Sequence, residues 1–297
     1  MTIVEGHGTP RKVRSLATAR HSFEGAGFPV ARPFPQPGAE WTDTDPFLML
    51  DEMGPIEYAP GEAKGAPDHP HRGFETVTYL FAGEMEHRDS TGGGGLLRAG
   101  DTQWMTAGAG IVHSETPTAE MLRDGGLMHG VQLWVNLPRA AKRERPRYQD
   151  LAGERVPTAR SADGRALLRV IAGSLGGLDG PGSTHTPIVY AHATLEAGAE
   201  LRLDWQRELN ALVYVFEGSV RVDGETVEAQ QLAVLDDNGD TVSFIADDRA
   251  EVLLLGGQPI REPVAWYGPF VMNTKDEIVE AFDDFEAGRM GSIAPLV

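Results

Sequence analysis

Two short clusters are the places in this sequence where metal-capable side chains are densest. The first is His69-Pro-His71-Arg-Gly-Phe-Glu75 and the second, farther along, is His113-Ser-Glu115. In an extended segment, side chains at i and i+2 point the same way. His69, His71 and Glu75 would then share one face, and so would His113 and Glu115. Imidazole nitrogen and carboxylate oxygen together suit a first-row transition metal. Neither cluster is a signature alone, because histidines also fill loops and satisfied core positions. Pro70 places the first pair at a strand end or a sheet edge. Gly73, Gly83, Gly100, Gly108 and Gly110 punctuate both segments, as tight turns around a narrow barrel mouth require.

The elements able to carry these residues are short strands. Apolar runs rich in Val, Leu, Thr, Tyr and Phe occur at 76–81, 131–135, 212–216, 220–222 and 252–255, with turn residues between them. That spacing predicts an all-β sandwich or barrel architecture. Asp223-Gly224 between two such runs predicts a hairpin. Helical signal is confined to the end. Thr274 and Glu277 form a capping box, and Ile278, Ala281, Phe282 and Phe285 follow at helical spacing. A helix over 274–286 is expected to lay this stripe on a sheet and to stop at Gly288.

A weak internal repeat relates Tyr79-Leu-Phe-Ala-Gly83 to Tyr214-Val-Phe-Glu-Gly218, and more loosely Leu97-Arg-Ala-Gly-Asp101 to Val227-Glu-Ala-Gln-Gln231. Repeats this far apart imply duplicated domains rather than a solenoid. The expected division is an N-terminal barrel over 1–138 with the metal-capable residues, a linker over 139–157, and a C-terminal barrel with the helix over 158–297. The repeat's spacing sets Asp204, Gln206 and Asn210 opposite His69, His71 and Glu75. No histidine follows His192, so the second barrel is not expected to copy the site. His185 and His192 read as surface or packing residues, and His7 and His21 lie in a loop-rich N-terminus. His87 and His129 could approach the first site, although His87 follows a turn and reads as solvated.

Bulk properties exclude several functions. The 297 residues contain no cysteine, which rules out disulfides, thiolate ligands and cysteine nucleophiles. The formal net charge is −18, which repels nucleic acid and anionic lipid over most of the surface. The only basic cluster, 139–147, reads as a solvated linker. No apolar run reaches the roughly 18 residues of a membrane span, and residues 1–14 lack the apolar core of a secretory signal. A cytoplasmic location and a monomeric state are expected, with neither direct nucleic-acid binding nor a membrane partner.

Longer motifs tie these features together. Segment 69–83 resembles the first cupin motif, and segment 100–115 resembles the second. Asp51-Glu-Met-Gly-Pro55, the run from Asp68 to Thr76, Gln103-Trp-Met-Thr-Ala-Gly108, Gly130-Val-Gln-Leu-Trp-Val-Asn136 and Gly268-Pro-Phe-Val-Met-Asn273 resemble the pirin family more closely still. They occur in order over most of the chain. Gly108 and Pro117, where cupins in general carry proline and asparagine, are pirin-like departures. The resemblance implies two tandem cupin (jelly-roll) β-barrels with a short C-terminal helix. It also implies one metal, usually Fe(II), in the N-terminal barrel only, held by His69, His71, His113 and Glu115. Cupins outside the family commonly take the carboxylate from the first motif, here Glu75. Side-chain parity does not separate the two, and the pirin-like surroundings favour Glu115, with Glu75 behind the ligands.

Some pirins resemble quercetin 2,3-dioxygenases, which open a flavonol with dioxygen and release carbon monoxide. The partners implied are then a small aromatic substrate and dioxygen, with Glu115 also acting as base. Phe47, Met49, Met53, Phe74, Trp104 and Met105 are candidates for the apolar wall or for plain core. Other pirins resemble iron- and redox-dependent regulators of a transcription factor or metabolic enzyme, so a protein partner is the alternative. A cupin that binds a small ligand without catalysis is the third possibility.

Overall fold

Strand patterning sets the architecture. Glu84–Asp89 buries every second residue, and Ala166–Ala172 does so over its first half, the period of a sheet with one face on a core. In the computed structural model, which describes residues 1–294, such strands build two units of the same design. In the unit that carries the metal-capable residues, a seven-stranded sheet runs in the order Arg147–Leu151, Thr102–Thr106, Phe74–Ala82, Gly126–Asn136, Phe47–Tyr58, Phe28–Phe34, Arg20–Glu24. A four-stranded sheet runs Ala66–His71, Ile111–Pro117, Glu84–Asp89, Gly94–Arg98. The other unit has seven strands ordered Val13–Thr18, Gln231–Leu235, Leu212–Glu217, Ala250–Gly257, Ile188–Leu195, Ala166–Ala172, Thr158–Arg160. Its four-stranded sheet runs Glu200–Asp204, Thr241–Ala246, Ser219–Val222, Glu225–Glu228. Among the described pairings, those between named strands are antiparallel, and each unit is a two-sheet jelly roll.

The units are not consecutive in the chain. One collects Met1–Arg20, Arg32–Leu50 and Glu154–Ile260, and the other collects His21–Ala31, Asp51–Gly153 and the segment beginning at Arg261. The structure thus differs from a split into 1–138 and 158–297 about a linker at 139–157. Strand pairing is the reason. Val13–Thr18 pairs along Gln231–Leu235, Phe270 bridges to Arg72, and Arg147–Leu151, inside the expected linker, pairs with Thr102–Thr106.

Local signals are realised where they are strongest. Val222 pairs with Glu225 across Asp223 and Gly224, both at positive φ, as a type I′ hairpin requires. The helix spans Lys275–Glu286, with the Thr274–Glu277 capping box formed and Gly288 at φ 72° beyond its end. Ile278 and Ala281 are buried against Phe270 and Met272, while Phe282 is only partly covered and Phe285 is exposed. The apolar stripe is therefore narrower than its spacing suggests. Two more helices, Trp41–Thr44 and Ala119–Asp124, are single short segments.

Candidate metal centre

Strand Ala66–His71 lies at the edge of the four-stranded sheet, where Pro70 costs no ladder hydrogen bond on its open side. It pairs with Ile111–Pro117 so that His69 sits opposite His113 and His71 opposite Ile111. The three imidazoles of His69, His71 and His113 converge, with ring centroids 4.3–5.0 Å apart. Their candidate ligand nitrogens all lie within 4.8 Å of one another. Nitrogens bound to one ion at about 2.1 Å sit ~3–4 Å apart, so a small closure completes the cluster.

Two of the rings are oriented by backbone carbonyls. His69 Nδ1 lies 2.7 Å from the Pro67 carbonyl, and His71 Nδ1 lies 3.3 Å from the Pro269 carbonyl. A carbonyl only accepts, so Nδ1 must carry the proton in each ring and Nε2 keeps its lone pair. This is the usual arrangement behind a metal-binding imidazole. Both nitrogens of His113 are buried without a hydrogen-bond partner, a deficit on the order of 1–3 kcal/mol that coordination would offset. Burial, then the neighbouring imidazoles His113 and His69, push the His71 ring well below its ordinary pKa. Burial, then His69 and His87, do the same to His113. These rings are neutral donors at neutral pH. The donor set therefore fits a divalent transition metal.

Glu115 shares the inward face with His113 but is not part of the three-histidine group. Its Oε1 accepts from the Thr78 hydroxyl at 3.0 Å, and Gln132 Nε2 donates to Oε1 at 3.0 Å and Oε2 at 2.9 Å. Trp134 Nε1 donates in turn to Gln132 Oε1 at 3.2 Å. Glu75 is placed differently. The strand breaks at Arg72 and Gly73, so the parity linking it to His69 and His71 does not carry through. Glu75 lies in Phe74–Ala82 of the seven-stranded sheet, accepting from the Thr106 hydroxyl at 2.6 Å.

Of the candidate wall residues, all six are buried. Phe74 stands 5.0 Å from the His71 ring, Met105 receives the Tyr148 hydroxyl at 3.0 Å, and Met53 belongs to a separate apolar cluster. Phe47 and Met49 lie among the first four residues of strand Phe47–Tyr58, which are grouped with the other unit. Trp134, 5.1 Å from His71 and 4.2 Å from Phe74, is a wall residue that sequence reasoning missed. The alternation of Gln132, Trp134 and Asn136 was the available signal.

His87 is buried, not solvated, and Tyr148 stacks on it at 5.0 Å. Burial lowers its pKa, against the pull of Asp150, Glu115 and Asp89. His129 turns away from the cluster to Glu52, 2.9 Å from its Nε2. His192 pairs with Glu251 at 2.8 Å. Lys142, in the expected solvated linker, is also buried. Its Nζ donates to the Gly73 and Val271 carbonyls at 2.7 and 3.0 Å and to Asn136 Oδ1 at 2.6 Å, and burial brings its pKa from 10.5 to about 7. Among the described residues, no helix is long and apolar enough to cross a membrane.

Comparison with known proteins shows the family of the chain. The pirin family model matches residues 27–135, and the pirin C-terminal cupin domain model matches 190–291. A pirin-like protein from Caulobacter vibrioides is 43% identical over 281 residues, covering 94% of this chain and 99% of that protein. Human pirin is 39% identical, covering 96% of this chain and 95% of its own. A crystal structure of quercetin 2,3-dioxygenase from Acinetobacter baumannii superposes with a TM-score of 0.91 at 40% identity, covering 96% of this chain and 100% of that one.

Proposed function

The chain belongs to the pirin family, and from that premise we propose that it is a non-haem Fe(II) dioxygenase that opens flavonols such as quercetin. The observation that carries this reading is the trio of converging imidazoles, two of them held in one tautomer by carbonyls. The likeness to a solved quercetin 2,3-dioxygenase over the full length of that chain supports the reaction class. His69, His71 and His113 would hold the ion, with Glu115 as fourth ligand. When bound, iron(II) supplies Lewis acidity and one-electron chemistry toward dioxygen.

The remaining work falls to the chain's own side chains. Glu115, fixed by Thr78 and Gln132, accepts the proton of the flavonol 3-hydroxyl. Phe74 and Trp134 present apolar faces beside His71 and exclude water from the reacting ring. Both atoms of dioxygen enter products. One ring carbon leaves as carbon monoxide, and the rest becomes a ring-opened ester.

The test is loss of flavonol absorbance in air by protein loaded with a weighed equivalent of metal, with carbon monoxide measured in the headspace. Absence of turnover with iron, manganese, copper and nickel across several flavonols overturns the enzyme. Recovery of one stoichiometric partner, dependent on the oxidation state of iron, would then favour the regulator.

A further inference from the structure

Beside the three-histidine cluster lies a second group of polar side chains with no assigned role. Ile111–Pro117 and Glu84–Asp89 pair in unbroken register, His113 opposite Asp89 and Glu115 opposite His87. Residues directly opposite in an antiparallel pair share a face, so His87 and Asp89 face the same interior as His113 and Glu115. Across the next ladder, His87 lies opposite Gly95. A Cβ at Gly95 would stand 2.7 Å from His87 Nε2, and one at Gly93 would stand 2.3 Å from Asp89 Oδ2. The glycine run thus clears space that these two side chains use.

Both are buried, at 3% exposure each, and both are incompletely bonded. Neither nitrogen of His87 has a partner. Asp89 Oδ1 is taken by the Thr91 amide and hydroxyl, each at 2.6 Å, and by the Gly93 amide at 3.2 Å, which leaves Oδ2 without a partner. The carboxylate is therefore anchored at one oxygen, while Oδ2 has the Tyr148 phenol nearby but no hydrogen bond of good geometry. Tyr148 holds the imidazole plane by stacking. A fixed donor and a fixed acceptor two residues apart on one strand face match a group that donates and accepts at once, and the smallest organic group of that kind is a hydroxyl.

We propose that His87 and Asp89 form a hydroxyl-binding subsite that selects flavonols bearing a phenolic hydroxyl outside the metal-chelating pair. The substrate class rests on the flavonol reading above; the subsite itself rests on the register and the unpartnered atoms. In this arrangement the hydroxyl donates to Asp89 Oδ2 and accepts from the His87 ring N–H. A flavonol lacking it leaves both groups unpaired, and a site built to hydrogen-bond a hydroxyl discriminates strongly against the analogue without one.

The test uses the full, metal-loaded chain and compares Kd for 3-hydroxyflavone, which has only the chelating oxygens, with flavonols hydroxylated on the fused or pendant ring. The wild type is expected to favour a hydroxylated flavonol by about tenfold or more. In His87→Phe, which keeps a ring against Tyr148, and in Asp89→Asn, which keeps the turn to Thr91, that ratio is expected to fall toward one. No preference in the wild type, or equal weakening of all flavonols in both variants, overturns the subsite.

A second measurement separates it from the flavonol reading. Phenol and toluene are titrated against protein carrying 15N-labelled histidine, with the His87 signal identified by its absence in His87→Phe. If no flavonol binds but phenol alone moves the His87 signal, the subsite stands and the flavonol reading falls. If phenol moves it no more than toluene does, the subsite falls.

Discussion

In the N-terminal barrel, strand Ile111–Pro117 sets His113 against His69 and Glu115 against His87. In the C-terminal barrel, strand Thr241–Ala246 occupies the same place in its four-stranded sheet and sets Val242 against Leu203 and Phe244 against Val222. The ladders match while the side chains differ completely. The C-terminal four join a single large aliphatic cluster. At the matching positions the N-terminal barrel instead places His113 and His87, whose ring nitrogens are buried without partners, whereas the unpartnered Arg202 Nε and Thr241 Oγ1 of the C-terminal barrel lie outside those positions. One backbone thus serves either as a packed core or as a cradle, and the cradle forgoes stability that the core keeps.

A second pair of positions shows the opposite. Glu52 on Phe47–Tyr58 meets His129 on Gly126–Asn136, beside Phe81. In the C-terminal barrel His192 on Ile188–Leu195 meets Glu251 on Ala250–Gly257, beside Phe216. These strands correspond in sheet order, with the histidine and glutamate exchanged between them. A histidine–carboxylate pair present in both barrels belongs to the scaffold, which isolates the three-histidine cluster as the feature peculiar to one barrel.

The sharpest way to break the comparison is His113→Leu, which makes the N-terminal ladder resemble the C-terminal one. Metal affinity should fall by more than about 100-fold, read by elemental analysis, and the proposed oxygenase turnover should vanish with it. The metal-free variant should be as stable as the metal-free wild type or more so by up to ~1–2 kcal/mol, because two unpartnered nitrogens disappear. Equal metal content in variant and wild type would end the contrast. The converse substitution, Phe244→Glu, places an unpaired carboxylate in the aliphatic core. It should cost about 3–5 kcal/mol, measured by urea unfolding, whereas a loss below 1 kcal/mol would mean the two interiors are interchangeable.

Lys142→Met leaves two carbonyls and Asn136 Oδ1 without their donor, and should destabilise by ~2–4 kcal/mol. The same residue implies a pH dependence. The folded-state pKa of Lys142, about 7, lies below its ordinary 10.5, so the folded chain binds fewer protons between those values. Stability should therefore rise with pH from about 7 to 10.5, by up to about 5 kcal/mol relative to Lys142→Met, and show no such difference below pH 7. A difference that falls with rising pH would mean the three acceptors hold the ammonium charged.

Much of this was legible where the signal is local. The Asp223-Gly224 turn, the Thr274–Glu277 cap and the edge position of Pro70 each depend on a few adjacent residues. The alternation that sets His113 and Glu115 on one face is equally local. What escaped depends on pairing between distant segments. Nothing in Val13–Thr18 itself announces Gln231–Leu235 as its neighbour. A uniform offset set Asp204 opposite His69, whereas the ladder puts Leu203 there, because the repeats do not keep equal spacing. His87 was obscured by the turn at Gly83 and the glycines at 92–95, which look like loop. Yet Met85, His87 and Asp89 alternate, and a methionine on that face already marks it as inward.

The Pro269 carbonyl that orients His71 lies 198 residues downstream of it. During synthesis the histidines of this cluster leave the ribosome long before that acceptor is translated. Until then the His71 ring is free to swivel and to exchange its proton between nitrogens. Maturation of the centre is thus tied to the completion of the polypeptide, and a chain truncated before residue 269 would emerge with every candidate ligand yet without the group that fixes one of them.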